Sequence, residues 1–260
     1  MKKRIFYYGD ELNDNFAGDN IKAKKIDSSY VYDRTSIWGR AAHFFWYRVV
    51  AVPTAFLYMK LFFHHKTVNK EVLKPYSKTG YFIYGNHTHN YADPCVPNLL
   101  SLPKESHIVV HPNNVSMPLL GRITPYLGAL PLPDDMDAYG NFAQAMKKRI
   151  EKGQAVVIYP EATIWPYYTG IRPFADTSFH YPIKYNAPVF CFTNTYQKRR
   201  FGKRPKMVTY VDGPFFQNED LPLRQRKKDL RDRVYTCMCE RAKLSEVSYV
   251  RYVKREEKND

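Results

Sequence analysis

The feature that most constrains this chain is a series of short, almost wholly apolar segments separated by stretches of helical spacing. YFIYGN (81–86), HIVV (107–110), Ala129 to Leu132, AVVIY (155–159), PVFCF (188–192) and MVTYV (207–211) read as strands. A strand that is apolar at nearly every position, and not at every second one, is buried on both faces. That burial arises where helices cover both sides of a parallel sheet. Helical spacing occupies the intervals. Asp137 to Lys152 puts Phe142, Met146 and Ile150 on one face, and shorter helical stretches fall near Pro94 to Leu100 and Ser178 to Tyr185. Leu223 to Leu244 closes the chain with Leu230, Val234, Met238 and Arg241 at three- and four-residue spacing. The alternation predicts an α/β fold with a largely parallel central sheet flanked by helices.

A division near residue 78 is expected: 1–77 as an N-terminal arm and interface segment, 78–260 as the main domain. Residues 1–35 are polar and rich in Asn, Asp and Gly, which predicts a loosely ordered arm. From Ile37 to Phe63 runs IWGRAAHFFWYRVVAVPTAFLYMKLFF, in which only the 11 residues from Val49 to Met59 are free of charge, with Pro53 breaking them. A spanning helix needs about 20 apolar residues. Trp38, Phe44, Phe45, Trp46 and Tyr47 beside Arg40, Arg48 and Lys60 fit instead an interfacial or re-entrant helical element at a membrane surface.

Forty Lys and Arg against 25 Asp and Glu give a formal charge of +15. Such an excess asks for a polyanion: nucleic acid, an anionic membrane or a phosphorylated substrate. Six cations among nine residues, Lys198 to Lys206, concentrate it. A hydrophobic content of 44% argues against intrinsic disorder. Four cysteines without a paired framework argue against a disulfide scaffold, and Cys237 and Cys239 lack the further ligands of a zinc site. MKKRIFYYGDELND meets acids before any apolar run and is not a signal peptide, so the chain is expected to stay in the cytoplasm.

Two loops carry the candidate chemistry. Gly85-Asn86-His87-Thr88-His89-Asn90-Tyr91-Ala92-Asp93-Pro94 follows an apolar strand, where ligands of α/β sheets sit. A histidine with an aspartate to fix its tautomer can take a proton from a hydroxyl. The His87-x-His89 pair is also a familiar zinc arrangement, to which Asp93, His107 and His111 could contribute, so a metal-dependent hydrolase is the alternative. The second loop, Tyr159-Pro160-Glu161-Ala162-Thr163-Ile164-Trp165, puts a carboxylate straight after a buried strand. No G-x-S-x-G, P-loop or G-x-G-x-x-G occurs, which disfavours serine hydrolases, NTPases and Rossmann dehydrogenases.

At these residues the sequence resembles the glycerolipid acyltransferase family, the bacterial 1-acyl-glycerol-3-phosphate acyltransferases and their relatives. Asn86-His87 through Asp93 resembles the N-H-x4-D block, MPLLGRITPYLGALPL (117–132) the apolar glycine-bearing block, YPEATI (159–164) the F-P-E-G-T-R block, and Pro188 to Phe192 the final strand. The likeness covers residues 78 to 216. It implies acyl transfer from a coenzyme A or acyl carrier protein thioester to a hydroxyl of a glycerolipid or lysophospholipid-like acceptor, with no metal and no bound cofactor. His87 would be the base and Asp93 its orienting acid, with Asn86, His89, Glu161, Ala162, Thr163 and Arg172 around the substrate. An anionic membrane surface on its cytoplasmic face and the lipid acceptor are the expected partners, an acyl carrier protein a further one, and nucleic acid is not expected.

The departures are specific. Five residues lie between His87 and Asp93 where the family has four, so either the loop carries an extra residue or His89 is the base; the Asn-His pair at the strand end favours His87. The family's glycine and arginine of the third block are Ala162 and Ile164. The arginine associated with the acceptor's phosphate falls on Asp134, whose charge would repel that phosphate. Arg122, Arg172 and Lys184 are the cations that could take its place.

Overall fold

Every residue of the strand Tyr81–Gly85 is buried, as its unbroken apolar pattern requires. The fold around it was obtained as a computed structural model, which describes residues 4–16, 18 and 21–255. In chain order the first elements are β1 (Arg4–Tyr8), α1 (Ile37–Phe44), α2 (Val52–Phe63), β2 (Lys66–Val68), β3 (Tyr81–Gly85), α3 (Cys95–Ser101) and β4 (Ser106–Val110). Then come α4 (Asn113–Ser116), α5 (Leu120–Ile123), β5 (Ala129–Pro131), α6 (Met136–Glu151) and β6 (Ala155–Ile158). The chain closes with α7 (His180–Lys184), β7 (Val189–Gln197), β8 (Lys206–Phe215), α8 (Leu223–Ala242) and β9 (Val250–Lys254).

The main sheet has seven strands in the order β2-β8-β7-β3-β6-β4-β5. All neighbours pair in parallel except β7 with β8. Alternate residues of β3 enter opposite cores. Phe82 and Tyr84 join Phe142 and Met146 of α6 and Leu230, Val234 and Met238 of α8. Tyr81 and Ile83 join Met59 and Phe63 of α2 and Val96 and Leu100 of α3. Truncating a fully buried aromatic such as Phe142 to alanine would cost about 3–5 kcal/mol. The α/β reading, with helices on both faces, is therefore what the chain adopts.

Helix α6 starts where Asp135 accepts a hydrogen bond from the Ala138 amide, an N-cap that satisfies one orphan donor of the first turn. In α8 the fourth core position is Ala242, and Arg241 instead forks onto both carboxylate oxygens of Asp212.

Two expectations for the N-terminal region change. The arm is not loose: β1 pairs in parallel with β9, more than 240 residues away, with Arg4 opposite Val250 and Tyr8 opposite Lys254. Phe6 and Tyr252, opposite each other in this pair, cluster with Phe16 and Trp165, and the Tyr252 ring stacks on Trp165. Nor does Pro53 break the 37–63 segment. A π-helical stretch, Phe45–Ala51, joins α1 to α2, and the backbone stays helical through Pro53 in the first turn of α2. Ala55, Met59 and Phe63, four residues apart, face the core, while Trp38, Phe44, Phe45, Val49, Phe56, Leu57, Leu61 and Phe62 are exposed. Among the described residues no helix is long and apolar enough to cross a membrane.

Candidate active site

The carboxyl end of β3 lies between β6 and β7, and the loops leaving β3 and β6 meet there. Close strand packing fixes this end: a Cβ at Gly85 would fall 2.1 Å from the Phe192 ring. The next residue, Asn86, is 1% exposed and locks onto β7, accepting from the Asn194 amide at 2.8 Å and donating to its carbonyl at 3.0 Å.

His87 then emerges with its side chain 18% exposed. Its Nδ1 lies 2.7 Å from Oδ2 of Asp93, which is fully buried. The same oxygen accepts the Thr88 and His89 amides at 2.8 Å each, so the loop folds around the carboxylate. Facing an oxygen that accepts, Nδ1 of His87 is the ring nitrogen that donates in this contact. Nε2 of His87 has no partner among the described residues. The ring stacks on Tyr159 at 4.5 Å between centroids, and the Tyr159 hydroxyl donates to the Asp93 carbonyl at 2.5 Å. Tyr159 was not among the residues singled out from the sequence, although it opens the YPEATI block.

His89 is used differently. Its Nδ1 accepts the Tyr91 and Ala92 amides, and its ring sits edge-on to Phe63 of α2 and to Tyr167. Burial lowers its pKa, against the pull of Asp93. It meets Asp93 through its backbone, not its ring.

Glu161 is 4% exposed and fastens the second loop to the first. Oε2 faces the His87 amide at 3.4 Å and the Arg172 guanidinium at 3.2 Å, while Oε1 faces the Arg172 amide. Burial raises its pKa and Arg172 opposes that rise. Arg172, 1% exposed, also holds Thr163 through its hydroxyl and carbonyl and reaches the Glu11 carbonyl of the arm. The arm completes this frame: the Asp14 carbonyl accepts from the Thr163 hydroxyl and the Trp165 indole. Ala162, exposed at the tip, has φ +61°, the left-handed backbone that favours glycine. Asp134 anchors the 21–35 segment by exchanging bonds with the Ile26 backbone. Arg122 and Lys184 are exposed, the latter over the Tyr185 ring.

The metal arrangement does not assemble. His107 lies at the amino end of β4 and His111 beyond its carboxyl end. Among the described residues the only trio of metal-ligating side chains that converges is Cys191, Asp212 and Cys237, where β7, β8 and α8 meet.

What the loop offers is an exposed imidazole nitrogen backed by a buried carboxylate, a base suited to deprotonating a hydroxyl. The acyltransferase family model matches residues 64–193, half of the chain. Among solved structures the chain is similar to PlsC, the 1-acyl-sn-glycerophosphate (LPA) acyltransferase of Thermotoga maritima, with a TM-score of 0.52 and 13% identity over 74% of this chain and 81% of that one. At that identity the likeness concerns the fold. No curated protein matches. With the family's model over half its length and its fold in place, this chain belongs to the acyltransferase family.

Proposed function

We propose that this acyltransferase moves an acyl chain from a coenzyme A or acyl carrier protein thioester to a hydroxyl of a glycerolipid or lysophospholipid-like acceptor. The observation that carries the reading is the 2.7 Å contact of His87 Nδ1 with buried Asp93, at the carboxyl end of a central strand. Nε2 of His87 takes the acceptor proton as its oxygen attacks the thioester carbonyl. Asp93 steadies the imidazolium. Collapse of the tetrahedral adduct breaks the C–S bond, and the imidazolium returns its proton to the departing thiolate. Base catalysis of this kind supplies about 10²–10⁴-fold. The Glu161–Arg172 pair acts as a brace, setting the height of the second loop against His87.

We place the enzyme on the cytoplasmic face of a membrane. The exposed aromatic and aliphatic side of α1 and α2 supports this, as does the basic 198–206 loop, which Arg199 ties to α2 through the Leu61 and Phe62 carbonyls. Contact between Phe63 and His89 then brings the interface helix against the catalytic loop.

The test is a mass-spectrometric search for new esters. Coenzyme A and acyl carrier protein thioesters are offered with a panel of lysolipids and glycerophosphate to wild type, His87→Ala and His89→Ala. A new ester that disappears only with His87→Ala is the expected result. No thioester consumed with any acceptor would overturn it.

A further inference from the structure

A cavity lies away from His87, at the amino ends of β4, β5 and β6. It has a volume of about 510 Å³ and is bordered by the last turn of α6, by α1 and by the 32–35 segment. Arg34, Arg40, Lys148, Arg149 and Lys152 line it against two carboxylates, Asp33 and Glu105. Both carboxylates are already engaged. Asp33 bonds Lys148 and Arg149, and Glu105 meets His43, Arg48 and Gln154. The exposed Arg34, Arg40 and Lys152 have no acidic partner among the described residues; Arg34 lies over the Tyr126 ring.

The floor of the cavity holds polar groups that should not be buried alone. Arg149 is 8% exposed, and its Nε has no partner among the described residues. His107 is 5% exposed and takes a side-chain interaction from Gln154 beside it. An unpaired buried donor costs about 1–3 kcal/mol, so its persistence at the wall of an open cavity points to a ligand that completes it.

We propose that this cavity is a binding site for a phosphate monoester. Guanidinium forks match the oxygens of a phosphate in pairs, and the surplus of cations calls for a multiply charged anion. The volume leaves room for an organic body beside Tyr32, Pro125 and Leu130. The site is separate from the acyl-transfer chemistry, because His87 stands at the opposite ends of the strands, with β6 alone spanning about 10 Å between the two levels. The phosphate has two sources, a soluble ester or the headgroup of a lipid. The second is within reach because Arg40 and His43 come from α1, whose Trp38 and Phe44 are exposed.

The test uses the full chain, with inorganic phosphate and pyrophosphate as soluble probes in calorimetry, and phosphatidylcholine vesicles with and without phosphatidic acid. The variant is Arg40→Ala/Lys152→Ala, both exposed and outside the folding core, with His87→Ala as control. We expect saturable binding that weakens at least tenfold in the double variant and is unchanged in His87→Ala. Binding of the soluble probes assigns the site to a soluble ester. If the double variant loses only the preference for phosphatidic acid vesicles, the headgroup is the ligand. Undiminished binding in the double variant, or no saturable binding of either kind of probe, overturns the proposal.

Discussion

Nδ1 of His87 lies 2.7 Å from Oδ2 of Asp93 although five residues separate the two in sequence. The extra residue is accommodated because the loop closes on the carboxylate itself: Oδ2 takes the Thr88 and His89 amides, and the Asp93 amide returns to the His89 carbonyl. Asp93 is thus both the orienter of His87 and the pin of the loop.

Asp93→Asn separates those roles. The amide keeps an acceptor but loses the charge that stabilises an imidazolium, so turnover should fall about 10²–10⁴-fold. Stability should fall by only about 1–3 kcal/mol, with the far-ultraviolet spectrum retained. A variant with unimpaired kcat would sink the dyad. His89→Ala, which orphans the Tyr91 and Ala92 amides, is expected to show mainly a stability loss of about 1 kcal/mol.

Ala162 stands where the family has glycine, and its φ of +61° carries the Cβ strain of a left-handed residue. Ala162→Gly should therefore stabilise the protein by about 1 kcal/mol, raising the melting temperature by roughly 2–4 °C. Ala162→Val should do the reverse, since β-branching is worse tolerated there. A lower midpoint for the glycine variant would mean that residue 162 is not left-handed in solution.

The legible parts of this sequence were those whose meaning is local. Strands such as 81–85 and 155–158 are buried on both faces, so their own composition declared them. The Asn-His and Pro-Glu loops were found because each follows such a strand. What stayed hidden depends on partners distant in sequence. The alternation in RIFYY means little until β9 arrives from residue 250. Asn86 could not be seen as a clamp on β7 without Asn194, 108 positions on. Arg172 read as a cation for substrate, but the fold buries it against Glu161, an ion pair that no spacing rule specifies.

Membrane docking should divide into two additive parts. Arg200 and Lys203 are exposed on the basic loop, and each cation near an anionic surface is worth about 1 kcal/mol. Arg200→Ala/Lys203→Ala should weaken binding to anionic vesicles roughly thirtyfold and leave neutral vesicles unaffected. Trp38→Ala/Phe45→Ala, which removes exposed aromatics, should weaken binding to both. Co-sedimentation in which neither pair changes binding would refute docking by this face.

Acid should destabilise the fold through His65. Its Nε2 lies 2.7 Å from the Thr209 hydroxyl, which donates in turn to Asn194, the partner of Asn86. Burial pulls the His65 pKa from the usual 6.5 down to about 4. The folded state thus binds this proton less readily than the unfolded chain. Its contribution to stability is fully present above pH 6.5 and is lost as pH falls toward 4, at up to about 1.4 kcal/mol per pH unit. His107, pushed to about 3 by the same cause, adds a parallel loss. In His65→Gln the side-chain amide can still donate to Thr209 but cannot titrate, so the decline in denaturation midpoint between pH 6.5 and 4 should become shallower. An unchanged pH profile would show that His65 is not buried as a neutral ring, and the chain of bonds running from it through Thr209 and Asn194 to the foot of the His87 loop would lose its first link.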